Sequence, residues 1–189
     1  SLQWGGDLLS KEPENVRALV ARGAAMVEGQ PEAARALLEV AAARDDVDAH
    51  VALSETYWEL YNTTRDPRWV PQAQQASATA LALAPDVAAV RLALGITLTN
   101  SGRYGEAVQE LQRALAIRPN DDEARRYLGK ALAALDRTDE AVAEWRKALT
   151  IRPNNWQALS DMGRALFARG RLAEAEAAYR QLITLNPDN

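Results

Sequence analysis

The chain has no cysteine, one histidine, one phenylalanine and two methionines in 189 residues. Without cysteine it forms no disulfide and carries no thiolate chemistry, although this leaves the compartment open. A single histidine, His50, cannot supply a histidine-based metal site, and no nucleophile, base and orienting group stand at usable spacing. No catalytic residue, metal or cofactor is therefore expected. The strongly basic balance that displaces phosphate counterions is also missing: 22 basic against 26 acidic residues leave a net charge of −4. That argues against a nucleic-acid partner, despite five tryptophans that could stack on bases. No apolar run approaches the roughly 18 residues of a membrane span, so no membrane insertion is expected. No charged-then-apolar leader opens the chain. The opening SLQWGG lacks a methionine and reads as the interior of a longer protein. Asn62-Thr63-Thr64 has the form of a glycosylation sequon but reads as coincidence, and the expected location is cytoplasmic.

What the chain does have is alanine, leucine, glutamate and arginine, residues that lose little side-chain freedom in a helix. They recur with a period. Pro85, Pro119, Pro153 and Pro187 stand 34 apart, as do Gly95, Gly129 and Gly163, and Ala73, Ala107, Ala141 and Ala175. A fixed period of this length marks stacked helical modules, none of which buries its apolar face alone. Within one period, DEARRYLGKALAAL (122–135) places Ala124, Leu128, Gly129 and Leu132 on one helix face, and TDEAVAEWRKALTI (138–151) does the same with Ala141, Trp145 and Ala148. A two-residue turn makes the pair antiparallel. Gly129 and Ala141 admit close approach, and Trp145 fills the wider end. Thr138 reads as an N-cap, and Asp45-Asp46 and Asp121-Asp122-Glu123 as capping and dipole-complementing acids.

These residues resemble the tetratricopeptide repeat, whose small, bulky, Leu, Gly, bulky, Ala, bulky, Ala and Pro positions are met in register by 88–121, 122–155 and 156–189. The resemblance implies an all-α, right-handed α-solenoid of antiparallel helix pairs. Upstream, 47–87 fits with an insert near 63–71, TTRDPRWVP, whose prolines point to an irregular connection. Residues 16–46 read as a degenerate copy with Ala18, Leu19, Gly23 and Met26, and 1–15 as a partial leading helix of a preceding repeat. The stretches YWELYNTTRDPRWVPQA and RPNNWQALSDMGRALFARGRLAEA also look like repeat regions that follow serine/threonine kinase or cyclase domains in bacterial signalling proteins. That likeness implies a second reading, a regulatory or oligomerisation region of a larger enzyme.

In the resembled family the first helix of each pair lines a concave groove. Carried over position by position, the groove here draws on Val51, Glu55 and Trp58, then Leu92, Ile96 and Asn100, then Arg126 and Lys130, then Arg164 and Phe167. Leu92 and Ile96 lie off the face of Leu94 and Leu98 and suit either an apolar anchor or packing on the next repeat. Arg126 and Lys130 are four apart and share a face, with Arg164 in the corresponding place one repeat later. They suit either a solvated basic face or the reading of acidic groups on a protein or peptide partner. The clamp that grips chaperone tails needs an ordered set of Lys, Asn and Arg that Val51/Glu55, Leu92/Ile96, Arg126/Lys130 and Ser160/Arg164 do not supply. The expected function is a non-enzymatic protein-interaction scaffold. Self-association through the C-terminal end is also expected, where Ala178 and Ile183 would lose a following repeat.

Overall fold

The computed structural model describes residues 15–185, and among them every regular element is a helix. The expected leading helix of 1–15, with Leu8, Leu9 and Pro13, lies outside the described residues, as does Pro187. Ten helices follow in order: α1 Asn15–Met26, α2 Pro31–Ala42, α3 Val47–Thr64, α4 Trp69–Leu83, α5 Ala88–Asn100, α6 Tyr104–Ile117, α7 Asp122–Ala134, α8 Thr138–Ile151, α9 Trp156–Ala168 and α10 Leu172–Leu185. They gather into two compact units, one ending at Thr97 and one starting at Leu98. Each unit is a stack of antiparallel pairs. In the first, α1 packs on α2, α3 on α4, and α1 also touches α3; in the second, α7 packs on α8, α9 on α10, and α7 touches α9. Contact between alternate helices as well as consecutive ones is the α-solenoid scheme, in which each pair closes the core of its neighbour.

In the second unit the small-against-large rule holds at atomic distance. A Cβ placed on Gly129 would lie 2.6 Å from Nε1 of Trp145, and one on Gly163 would lie 2.8 Å from the Tyr179 ring. Trp145 is 1% exposed, and its indole N–H donates to the Arg126 carbonyl at 3.1 Å. The period also sets the turns. Gly102, Asp136 and Gly170 take left-handed φ of 78°, 69° and 70° at intervals of 34, a conformation that glycine adopts freely and aspartate tolerates.

The capping expectation divides. Asp46, Asp121 and Asn155 accept the N–H groups of Ala49, Ala124 and Ala158 at 2.9, 2.9 and 3.0 Å, satisfying otherwise orphaned helix donors. Thr138, expected to cap α8, is instead its first residue, and the cap position belongs to Arg137 with no side-chain bond. A different device starts these second helices: Arg103, Arg137 and Arg171 each grip the glutamate three residues on, Glu106, Glu140 and Glu174. Each arginine's hydrogen bond holds its glutamate below the usual carboxylate range, where the charge also favours the helix dipole.

The first unit departs from the expected irregular insert at 63–71. Most of the added length goes into α3, which runs 18 residues to Thr64, and the connection shrinks to Arg65–Arg68. A longer helix satisfies its backbone groups internally, whereas a loop must find partners for them. Pro67 sits in the short loop, and Pro71 falls in the first turn of α4, where a missing N–H breaks no helical bond. The core around it contains Leu19, Leu38, Leu53, Tyr57, Trp58 and Leu60. Of the two residues expected to be bared in α10, Ile183 is 62% exposed, but Ala178 is buried at 2%.

Candidate functional site

Each residue expected in the groove is fixed by its helix, and the structure sorts them into three groups. Trp58 belongs to the core: it is 5% exposed, donates its indole N–H to Thr97 Oγ1 at 3.2 Å and meets Tyr61 edge-on. Ile96 is also buried, at 7%, and Leu92 and Val51 are half-buried, so the packing reading replaces the open apolar anchor expected there. Glu55 is exposed on α3. All five lie in the first unit.

The second unit brings Asn100, Lys130 and Arg164 together. They line one groove of about 480 Å³, together with Tyr104, Asp161, Ala133 and Ala165. Ala134 on α7 and Ala168 on α9 line it as well, and Trp145 and Thr99 are its most buried lining residues. Phe167 does not line it and is 64% exposed.

Arg126 is the chief surprise. Its side chain is 12% exposed, and its Nη1 donates to Asp161 Oδ2 at 3.2 Å, with Glu123 at 3.8 Å. Its guanidinium lies 4.1 Å from the Tyr127 ring centre. Arg126 is thus half-buried and occupied, rather than displayed as a free reader of acidic groups. Arg164, exposed on α9, holds the other oxygen of Asp161 at 2.5 Å. Lys130 places its amino group 4.8 Å from the centre of the same Tyr127 ring, a cation–π geometry. Burial lowers its basicity; Asp161 pulls the other way, Arg126 and Arg164 push down with burial, and the net direction is down. The Tyr127 phenol is pushed up, first by its own burial.

The sequence alone did not single out Asp161 or Tyr127. The signal was present in the period: 34 residues after Arg126 comes Ser160, so Asp161 lies one step from the corresponding place on the next first helix. That Asp161 is 8% exposed and pinned by two arginines is a tertiary fact.

A second groove, of about 410 Å³, opens between α8 and α10 over Met162 and Leu166, with Arg146 and Glu174 paired at 3.7 Å on its rim. Among the described residues there is no cluster of three or more metal-ligating side chains, and no helix is long and apolar enough to cross a membrane.

Residues 97–136 match the family described as TPR repeat, and residues 127–189 match the one described as Tetratricopeptide repeat. Among solved structures the chain is similar to TTC0263, described as a thermophilic TPR protein in Thermus thermophilus, at 25% identity and a TM-score of 0.71, covering 88% of this chain and 89% of that one. It is also similar to MamA AMB-1, at 28% identity and a TM-score of 0.65 over 90% and 99% of the two chains. A mutant form of MamA aligns at 27% identity and a TM-score of 0.60 over 91% and 98%. No curated protein matches the chain.

Proposed function

This chain belongs to the tetratricopeptide repeat family, and we propose that it takes a segment of a partner protein into the groove lined by Asn100, Lys130 and Arg164. Such repeats serve in general as non-catalytic protein-interaction scaffolds; the groove and the chemistry of its partner are the further step. One observation carries it: three polar side chains from three successive first helices line one open groove, with four alanines among the other lining residues. The alanines of the lining admit a partner's main chain closely, while Asn100 offers an amide to backbone groups. Lys130 and Arg164 offer positive charge to acidic side chains. Charges of this kind chiefly set orientation and encounter rate, so the segment's main chain and apolar contacts with the alanines supply the rest.

The test is site-specific photocrosslinking. A benzoyl-phenylalanine replacing Ala165 should capture a partner protein, and the same residue replacing Gln181, on the groove between α8 and α10, should capture none. Lys130→Glu combined with Arg164→Glu should reduce the captured partner's affinity at least tenfold, with helix content by circular dichroism unchanged. Capture from position 181 alone would place the partner on the opposite groove and overturn this reading.

A further inference from the structure

The groove already holds a carboxylate. Asp161 rises from α9 and is 8% exposed, yet both of its oxygens are engaged: Oδ2 accepts from Arg126 Nη1 at 3.2 Å and Oδ1 from Arg164 Nη2 at 2.5 Å. Arg126 comes from the preceding first helix and is itself largely covered; Arg164 is one turn further along α9 and its side chain is 72% exposed. Lys130 lines the same groove and has the Tyr127 ring as its neighbour. Among the described residues no carboxylate stands within ion-pair distance of the Lys130 amino group. Three cations therefore converge on one internal anion, and the two arginines hold it.

We infer that Asp161 is a built-in stand-in for the partner's acidic side chain, and that a segment enters the groove by exchange: its carboxylate takes over Arg164 while Asp161 stays on Arg126, and a second carboxylate settles on Lys130. This rests on the groove assigned above and deepens it by naming the class of partner, a segment bearing two nearby acidic side chains. The asymmetry in exposure sets which contact exchanges. Arg126 is packed against Tyr127 and enclosed, so separating it from Asp161 would leave a half-buried charge unpaired. Arg164 is 72% exposed and can turn into water, so the cost of the exchange falls on Asp161, which keeps Arg126 on its other oxygen. Competition from Asp161 also discriminates among partners. A single acid can settle on Lys130 and leave Asp161 in place, whereas a paired acid engages Lys130 and Arg164 together and so drives the exchange. Selection by an internal rival in this way is a form of discrimination against weaker ligands.

The experiment uses the whole chain and a fluorescein-labelled hexaglutamate peptide, with hexaserine as the uncharged control, read by anisotropy. Asp161→Asn removes the rival charge and should tighten hexaglutamate binding about fivefold or more, with a steeper fall on adding salt. Asp139→Asn changes net charge equally at a side chain paired with Arg171 outside the groove and should leave binding unchanged. Adding Arg164→Gln to Asp161→Asn should abolish the gain. On the unaltered chain, the arginine side-chain 15N spectrum should show the Arg164 signal moving on titration with hexaglutamate while that of Arg126 stays, a readout that does not depend on any variant folding. Equal or weaker binding by a folded Asp161→Asn, or an Arg126 signal that moves with Arg164, overturns the exchange. If the crosslink from position 165 still captures a partner in that case, the groove assignment stands and only the stand-in role of Asp161 fails.

Discussion

The units on either side of Thr97 and Leu98 use one helix-pair scheme but fill it with different chemistry. In the first unit, aromatic rings close the gap at the α3–α4 turn. Tyr57 and Trp69 stack with centroids 5.9 Å apart and 16° between planes, Arg68 lies 4.4 Å from the Trp69 ring centre, and the Tyr57 hydroxyl donates to Glu39 at 3.0 Å. In the second unit, tight left-handed turns close the pairs, and ions join them. Arg171 reaches Asp139 at 2.6 Å across neighbouring pairs, Arg126 reaches Asp161, and Asn155 donates to Asp122 at 2.8 Å. A long helix with an aromatic plug keeps its polar groups inward: Thr56, buried, donates back to the Ala52 carbonyl at 2.7 Å, and Ser54 to that of Val51 at 2.8 Å. Short regular helices leave a wall of side chains facing outward, and the groove lies there. A strict period therefore yields a repeated surface that can carry a site, while the longer pair spends its aromatic residues on packing.

The sharpest way to separate the two units is to remove the largest fully buried side chain of the second. Trp145→Ala should cost about 3–5 kcal/mol, because truncating a buried tryptophan forfeits both its burial and its contacts. Hydrogen exchange should show the lost protection confined to α6–α10, with α1–α4 protected as before. Protection lost equally from both units would mean that they unfold together.

A smaller contrast is written in alkaline stability. Burial, and then the neighbouring Glu39 charge, push the Tyr57 phenol up to about 12 from its ordinary 10. A phenol with a raised folded pKa contributes stability that is complete below pH 10 and is lost as pH climbs from 10 toward 12. Tyr57→Phe should flatten the fall in unfolding free energy over that window, while lowering that free energy by about 1 kcal/mol at neutral pH through loss of the bond to Glu39. An unaltered slope would place the alkaline transition elsewhere, in which case Tyr127 of the second unit, also raised by burial, is the next to replace.

The smallest expected effect concerns the turn at Asp136. Its neighbours in the period, Gly102 and Gly170, are glycines, and Asp136 alone of the three holds the left-handed conformation with a side chain. Asp136→Gly relieves that strain but releases the exposed pair with Arg169. The balance should be a gain of no more than about 1 kcal/mol, read from a urea midpoint. A loss would show that the ion pair outweighs the backbone strain.

Much of this protein was settled by its sequence alone. The period of 34 specified helix pairs and their turns, because repeats of one length must place like residues in like surroundings. Asp121 capping α7 could be read from spacing, whereas Trp145, expected at the wider end of the pair, lies directly against Gly129. The groove was legible only as a set of positions. Asn100, Lys130 and Arg164 line one open groove of the second unit, while Trp58 and Ile96 occupy positions of the same kind and are buried. Helical spacing tells which direction a side chain leaves its own helix; it does not tell what stands opposite. That is why Arg126 looked like a displayed cation. Only the packing of α9 beside α7 brought Asp161 within 3.2 Å of it and turned a basic face into a groove that carries its own acid.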